Sequence, residues 1–275
     1  MPFKTHGHIG APPGNAIIWR YMGLDKFLDL ITHSRLFFAN VYNLTDKYEA
    51  SLPADLARKH SELAEKERSG RLTEVERALF EKMNRAIRAP TLVNCWSLGK
   101  TESYALWKVY LGGAQAGVTI RSNLYNLRKA LEQGGDLDKL DFYMGKVQYT
   151  DGMDEEFISE FSLVTMKREF YEYEQELRVF ILEPQDAGSG TLPASEMPPP
   201  IETQLIPVGA PTSVMPPVTN PSLGRYVKVD VPTLVGKLYL SPFMGIWFRD
   251  VVAEILKRVQ PALVDRIVMS SILER

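Results

Sequence analysis

The sequence predicts an α+β fold in which short helices pack on one mixed, curved sheet of about seven strands. Three observations predict it. Apolar strand patterns recur along most of the chain, the helical patterns between them are short, and strands do not alternate with long helices as in a doubly wound parallel sheet. With 275 residues, 45% hydrophobic and 24% charged, the chain can bury a substantial core in a single domain.

The first elements follow from apolar periodicity. Residues 1–16 lack an apolar core and are expected to be a flexible leader, after which residues 17–275 form the domain. "AIIWRYM" predicts a strand, "GLDKFLDLITHSRL" a helix and "RLFFANVYNL" a second strand. Residues 53–88 are charged and rich in helix formers, which predicts an inserted pair of exposed helices broken near Ser69 and Gly70.

The middle of the chain packs its elements closely. "TLVNCWSL" predicts a strand, Thr101 an N-cap for the helix "ESYALWKVYL", and Gly112 with Gly113 its end, before the strand "AGVTIRS". A helix at 123–140 and a strand "KVQYTD" follow. "EEFISEFSLVTMKREF" then predicts a helix that runs into the strand "FYEYEQELRVFIL".

Residues 183–224 hold roughly half of the 18 prolines, which predicts a loop or lid because so much proline fits neither sheet nor helix. "LVGKLYLSP" and "DRIVMSSIL" predict the last strands. Between them "GIWFRDVVAEILKRV" predicts an amphipathic helix. Its expected core-facing residues are Trp247, Val251, Val252, Ile255 and Val259.

The amino-acid composition limits the classes of binding partner that are expected. Lys plus Arg total 32 against 34 Asp plus Glu, so the net charge of -2 argues against nucleic-acid and anionic-membrane partners. No apolar run has the length of about 18 residues that a membrane span needs. A single cysteine excludes an internal disulfide, and we expect a cytoplasmic protein.

The charged segment at 170–182 points to a polar site. In an extended strand, side chains alternate between faces, so Glu174, Glu176 and Arg178 share one face. Arg20 and Arg121 stand in the middle of other predicted strands, where arginine is costly unless it pairs with a carboxylate or an anionic ligand. These five side chains predict either a ladder of surface ion pairs or a cleft for a nucleotide or small anion.

Other candidate groups give weaker signals. The four histidines lack acidic or cysteine ligands at metal spacing, so no metal is expected. Cys95 has no histidine close in sequence and is interpreted as a buried structural thiol. Trp96, Trp107 and Tyr110 could stack on a base, although core packing is the preferred interpretation for the two tryptophans.

The ordered segments together resemble the bacterial domain-of-unknown-function 2971 family over residues 17–270. The positions that carry this resemblance are Arg20, Tyr21, Trp96, Ser97, Trp107, Tyr110, Gly117, Glu174, Glu176, Arg178, Ser241 and Pro242. Where that family has Asp-Pro-aromatic-Glu after the second strand, this chain has Asp46, Lys47, Tyr48 and Glu49.

The same order of strands and helices along the chain also resembles, more distantly, that of ADP-ribosyltransferases. That resemblance implies that Arg20 holds the phosphate or ribose of NAD, that Glu176 is catalytic and that Glu174 positions the acceptor, which could be a protein. Tyr42 is the nearest substitute for the hydroxyl that the family carries on its second strand, since Ala39 and Asn40 stand there. It also implies an effector or toxin in conflict or phage defence.

Two functions therefore stay open. One is an ADP-ribosyltransferase-like enzyme that uses NAD as substrate. The other is a non-catalytic module that binds a nucleotide or anion, with Arg20, Tyr21, Arg121 and Arg178 as ligand-binding residues and Trp96, Ser97 and Tyr110 beside them. A third, a nucleic-acid enzyme that draws on Lys108, Lys167 and several acids, is the least favoured, because the chain has no basic balance and no clear metal-binding acid cluster.

Overall fold

A computed structural model describes residues 3, 4, 6, 7, 9–44, 46, 48–89, 91–135, 140–182 and 223–273 of the chain. Eight α-helices lie in these residues: α1 Leu24–His33, α2 Ala54–Arg68, α3 Glu74–Arg88, α4 Tyr104–Leu111, α5 Leu124–Gly134, α6 Glu160–Val164, α7 Val231–Leu234 and α8 Trp247–Val259. The expected proline-rich loop lies outside the described residues, except that Leu223 and Gly224 precede and begin a strand.

The same residues form eleven strands: β1 Ile17–Gly23, β2 Arg35–Asn40, β3 Thr91–Leu98, β4 Gly117–Asn123, β5 Phe142–Lys146, β6 Gln148–Tyr149, β7 Met166–Lys167, β8 Glu176–Leu182, β9 Gly224–Lys228, β10 Lys237–Leu240 and β11 Ile267–Met269. Nine of these described strands form one sheet, and β6 and β7 pair separately. The pair β10–β11 is parallel and the others in the large sheet are antiparallel, which confirms the mixed α+β fold.

Strand β3 is the branch point of the sheet. On one side, β8 pairs with β3 along its whole length. On the other side, β2 pairs with the start of β3 and β1 with its end, so β1 and β2 diverge from their shared neighbour and form a fork. Asn94 closes this fork by donating from Nδ2 to the Phe37 carbonyl at 2.9 Å. The fork leaves room for a polar side chain between β1 and β2.

Both faces of the sheet are covered. The large core lies on the face that carries α1, α5, α7 and α8 and includes Phe27, Leu127 and Phe248. On the other face, α4 covers β1 through Trp107 and α6 covers β8 through Phe161. The inserted helices α2 and α3 pack on α6 around Leu63 and Met83, so they shield that side of the sheet.

Several predicted elements need correction. The helix expected at 155–170 is interrupted: only α6 is α-helical, and β7 and a 3₁₀ turn at Glu169–Glu174 follow it. The N-cap of α4 is Ser103, whose Oγ accepts from the Leu106 amide, instead of Thr101. Strand β9 had not been predicted.

The expectation for helix α8 is confirmed for Val252 and Ile255, which face the core, and is wrong for Trp247 and Val251. Phe248, Val252 and Leu256 are buried, whereas Trp247 and Val251 are 58% and 43% exposed. Both stripes have i, i+4 spacing, so periodicity alone could not select between them.

The described residues before position 17 contact the domain. Phe3 bridges to Phe142, and the Lys146 amide donates to the Gly10 carbonyl at 2.9 Å. This segment lies along β5, an edge strand, and satisfies part of its exposed backbone. Among the described residues, no helix is long and apolar enough to cross a membrane.

Candidate functional site

The charged segment is a turn followed by a strand. Glu174 ends the 3₁₀ turn, Gln175 adopts a left-handed conformation with φ 43°, and β8 begins at Glu176. The prediction of one strand through all three charged residues was therefore wrong for Glu174. The left-handed turn nevertheless directs Glu174 back toward Glu176, so both carboxylates reach the same group.

That group is the ammonium of Lys167 on β7. Its Nζ lies 2.9 Å from Glu174 Oε2, 3.4 Å from Glu176 Oε2 and 3.0 Å from Glu49 Oε1. Arg178 completes the cluster: Nε and Nη2 each donate to Glu176 at 3.0 Å, and Nη1 donates to the Val164 carbonyl at 2.7 Å. We call Glu49, Lys167, Glu174, Glu176 and Arg178 the ionic cluster.

The ionic cluster is buried and unevenly charged. Arg178 is fully buried, and Glu176 and Glu174 are 2% and 7% exposed. Three carboxylates face two cations, which leaves one negative charge in excess when all are ionised. Burial raises the pKa of Glu174 above its usual range, although the positive charge of Lys167 acts to lower it. For Glu176, burial acts in the same direction, but Arg178 and Lys167 outweigh it and lower the pKa to about 2.

Tyr110 lies next to the cluster. Its ring stacks on Tyr21 with centroids 6.1 Å apart, and 37% of the residue is exposed. Burial of its hydroxyl raises the pKa, and the carboxylates of Glu174 and Glu176 raise it further. Tyr110 on α4 is thus partly exposed to solvent and lies within electrostatic reach of both carboxylates.

Two further predicted residues border the cluster. Ser97 is buried and lies directly opposite Glu176 in the β3–β8 register. Tyr21 accepts a 2.7 Å hydrogen bond from the Ser103 amide, which ties β1 to the start of α4. Ser97 also lies opposite Trp19, so Tyr21, two residues after Trp19, is on the face of the sheet that carries Glu176. Arg20, between them on β1, starts from the opposite face together with Ile18 and Met22.

Arg20 projects from β1 at the fork between β1 and β2 and reaches β3. Its Nη1 donates to the Cys95 carbonyl and to Asn94 Oδ1, the latter at 3.2 Å. Within the described part of the chain no carboxylate pairs with Arg20, and its Nε and Nη2 have no hydrogen-bond partner. Burial lowers the pKa of this guanidinium, while Cys95 and Tyr110 oppose that shift. Such a partly buried guanidinium with open donors is suited to an anion.

Lys26 adds a second positive charge near Arg20. Burial and the charge of Arg20 lower its pKa, and Asp25 partly opposes this. No ion pair of Lys26 occurs among the residues that the structure describes. Asp25 offsets the repulsion between the two cations in part, and a bound anion would offset it further.

One predicted ligand-binding residue does not join this arrangement. Arg121 lies on β4, with its guanidinium 5.9 Å from the ring centre of Trp19, and contacts none of the cluster. Trp96 is a core residue, 1% exposed, that lies beside Arg20: the Arg20 guanidinium is 5.8 Å from its ring centre, and its indole donates at 2.8 Å to Asn94 Oδ1, which also accepts from Arg20. Arg121 fails the expectation because β1 separates β4 from β3 and β8.

Sequence reasoning missed Lys167 and Glu49 as members of the site. Lys167 follows α6 in a segment predicted to be helical, and Glu49 belongs to a turn far from β8 in sequence. The family pattern around Asp46 and Glu49 was the available signal. Asp46 accepts from Arg168 Nη2 at 3.0 Å, which fixes the turn that presents Glu49.

The remaining candidates have other partners. The hydroxyl of Tyr42 donates to the Ile87 carbonyl, so it does not supply the missing site hydroxyl. Cys95 faces Glu176 and Arg178, and burial raises the pKa of its thiol well above the usual value. Within the described ranges no group of three or more His, Cys, Asp or Glu could hold a metal ion.

No protein-family model matches the chain, and no match was found among curated proteins or among solved structures. The geometry of the candidate site is therefore the basis for proposing a function.

Proposed function

We propose that the protein is an ADP-ribosyltransferase-like, NAD-handling enzyme. In this proposal, Arg20 and Lys26 bind the pyrophosphate, and Glu174 and Glu176 face the ribose that bears the nicotinamide. The observation that carries it is at Cys95 on β3: its carbonyl accepts from Arg20 Nη1, and the residue lies directly opposite Arg178 of the ionic cluster in the β3–β8 register. An anion-binding group and the acidic cluster thus flank one residue of β3.

The charge distribution supports this chemistry. When the bond between nicotinamide and ribose C1′ breaks, its electron pair goes to the cationic ring nitrogen and positive charge develops on the ribose. The excess negative charge of the ionic cluster would stabilise the positive charge that develops on the ribose. An acceptor then forms a bond to C1′ and loses a proton. Glu174 is suited to take that proton, because Lys167 is its one ion-pair partner among the described residues.

A second function is a module that binds a nucleotide or anion without turning it over. The observation that favours it is that both oxygens of Glu176 are already engaged, by Arg178 and by Lys167. In that case the ionic cluster stabilises the fold, and the anion site at Arg20 and Lys26 carries the function.

A proton NMR time course of NAD with the purified protein tests the proposal. The variants are Glu174→Gln, Arg20→Gln and the control Lys129→Gln, which removes a positive charge from the exposed side of α5. We expect free nicotinamide with the wild type and with Lys129→Gln, and its loss with the other two. Thermal unfolding of each variant checks that lost turnover is not lost folding.

NAD that stays intact with the wild type, both alone and with candidate acceptor proteins, would contradict the enzyme. Line broadening of the NAD signals that disappears in Arg20→Gln would then support the binding module. Absence of both turnover and broadening would contradict both functions.

A further inference from the structure

A row of basic side chains crosses the other end of the sheet. Lys237 on β10 lies directly opposite Arg121 on β4. The parallel register that pairs Leu238 with Ile267 puts Arg266, the residue before β11, beside Lys237. Like charges placed directly opposite one another in a sheet are destabilising, so this arrangement costs stability.

No carboxylate of the described residues offsets that cost. Within that part of the chain, neither Arg121 nor Lys237 makes an ion pair, and the contact of the Arg121 guanidinium with the Trp19 ring adds no negative charge. Arg266 uses Nη1 for the carbonyls of Pro232 and Val235, and its neighbour Asp265 forms no ion pair with the row. Two positive charges, those of Arg121 and Lys237, thus lie side by side without an ion-pair partner among the described residues, and the guanidinium of Arg266 is anchored at the end of α7.

We infer that this row binds a diphosphate or triphosphate group of a small molecule. Neighbouring strands are about 4.8 Å apart, so Arg121 and Lys237, directly opposite each other on β4 and β10, have a spacing suited to two consecutive phosphates. Arginine guanidinium groups bind phosphate oxygens through two parallel hydrogen bonds, and lysine adds a point charge. Since β1 lies between this row and the fork that holds Arg20, the inference is independent of the proposed NAD site.

Inorganic pyrophosphate and tripolyphosphate are the probes. Titration into ¹⁵N-labelled protein, with sodium chloride at equal ionic strength as reference, should shift the amide signals of β4, β10 and β11. Lys237→Glu puts a carboxylate opposite Arg121, so we expect affinity to fall about tenfold or more and the Tm to rise. Lys129→Glu on the exposed side of α5 makes the same change in net charge and should alter neither.

The combination of weaker binding and a higher Tm in Lys237→Glu separates the inference from simple misfolding. Saturating shifts in the wild type and in Lys129→Glu, absent from Lys237→Glu, would support it. Unshifted amides at millimolar probe, shifts confined to Arg20 and Lys26, or equal weakening in both variants would overturn it. Tight binding of single-stranded oligonucleotides without a response to tripolyphosphate would overturn it in favour of a nucleic-acid partner.

Discussion

Nη2 of Arg178 lies 2.6 Å from Oε2 of Glu49, although 129 positions separate the two residues in the chain. This contact joins the interior of β8 to the turn after β2. Through Glu49, Arg178 and Lys167 also share a carboxylate, so the two cations of the ionic cluster are held in one network. Because the two cations offset the repulsion between carboxylates, three glutamates can lie close together near Tyr110.

The uneven charge of the cluster predicts an unequal response to mutation. Arg178→Met leaves three carboxylates with only Lys167, and we expect the free energy of unfolding to fall by about 3–5 kcal/mol. Glu49→Gln keeps a hydrogen-bonding side chain and leaves two carboxylates facing two cations, so we expect a loss below about 2 kcal/mol. Urea denaturation at pH 7 measures both.

Arg68→Gln is the matched control, because Arg68 forms an exposed ion pair with Glu65. It should change the free energy of unfolding by less than about 0.5 kcal/mol. Equal losses in Arg178→Met and Glu49→Gln would contradict the charge count on which the prediction depends.

The cluster also predicts how stability depends on pH. The pKa of Glu176 falls from 4.5 to about 2 on folding, so its contribution is present above pH 4.5 and is lost as the pH falls toward 2. That contribution is about 3 kcal/mol. Glu174 acts in the opposite direction, because a raised pKa contributes stability at low pH that is lost as the pH rises.

Urea denaturation between pH 2 and 5 would measure this dependence. We expect the free energy of unfolding of Glu176→Gln to vary less with pH in this window than that of the wild type. Parallel curves for the two proteins would show that Glu176 is not held ionised by Arg178 and Lys167.

The thiol of Cys95 should react slowly. Burial raises its pKa well above the usual value, and the charge of Glu176 acts in the same direction, so little thiolate is present at pH 8. We expect iodoacetamide to alkylate Cys95 in the native protein at least about tenfold more slowly than in urea. Mass spectrometry of timed samples measures the rate, and equal rates in the two conditions would contradict the burial of the thiol.

Binding of NAD should depend on the two cations at the fork. We expect Arg20→Gln and Lys26→Gln each to weaken binding about tenfold, because each removes a charged donor to phosphate. Since burial and Arg20 lower the pKa of Lys26, wild-type affinity should fall as the solution becomes alkaline. Calorimetric titration checks both expectations, with Lys129→Gln as a control that should bind like the wild type.

Sequence periodicity predicted the elements whose own residues carry a clear apolar or turn pattern. Strands β1, β3 and β4, helix α1 and the break between α2 and α3 lie where the apolar and turn patterns put them. It did not predict β9 or the interruption of the helix after residue 155. Both depend on contacts with distant strands, which local patterns do not contain.

Residue types by themselves determined that Glu174, Glu176 and Arg178 belong to a polar site, because charges are costly in a sheet unless they are paired or bind a ligand. Only the tertiary structure decided the partners. The left-handed turn at Gln175 brought Glu174 to Lys167, the turn after β2 supplied Glu49, and the fork at β3 left Arg20 with open donors while β1 kept Arg121 apart. The physical reason is that ion pairs form between residues close in space, and chain topology determines that closeness.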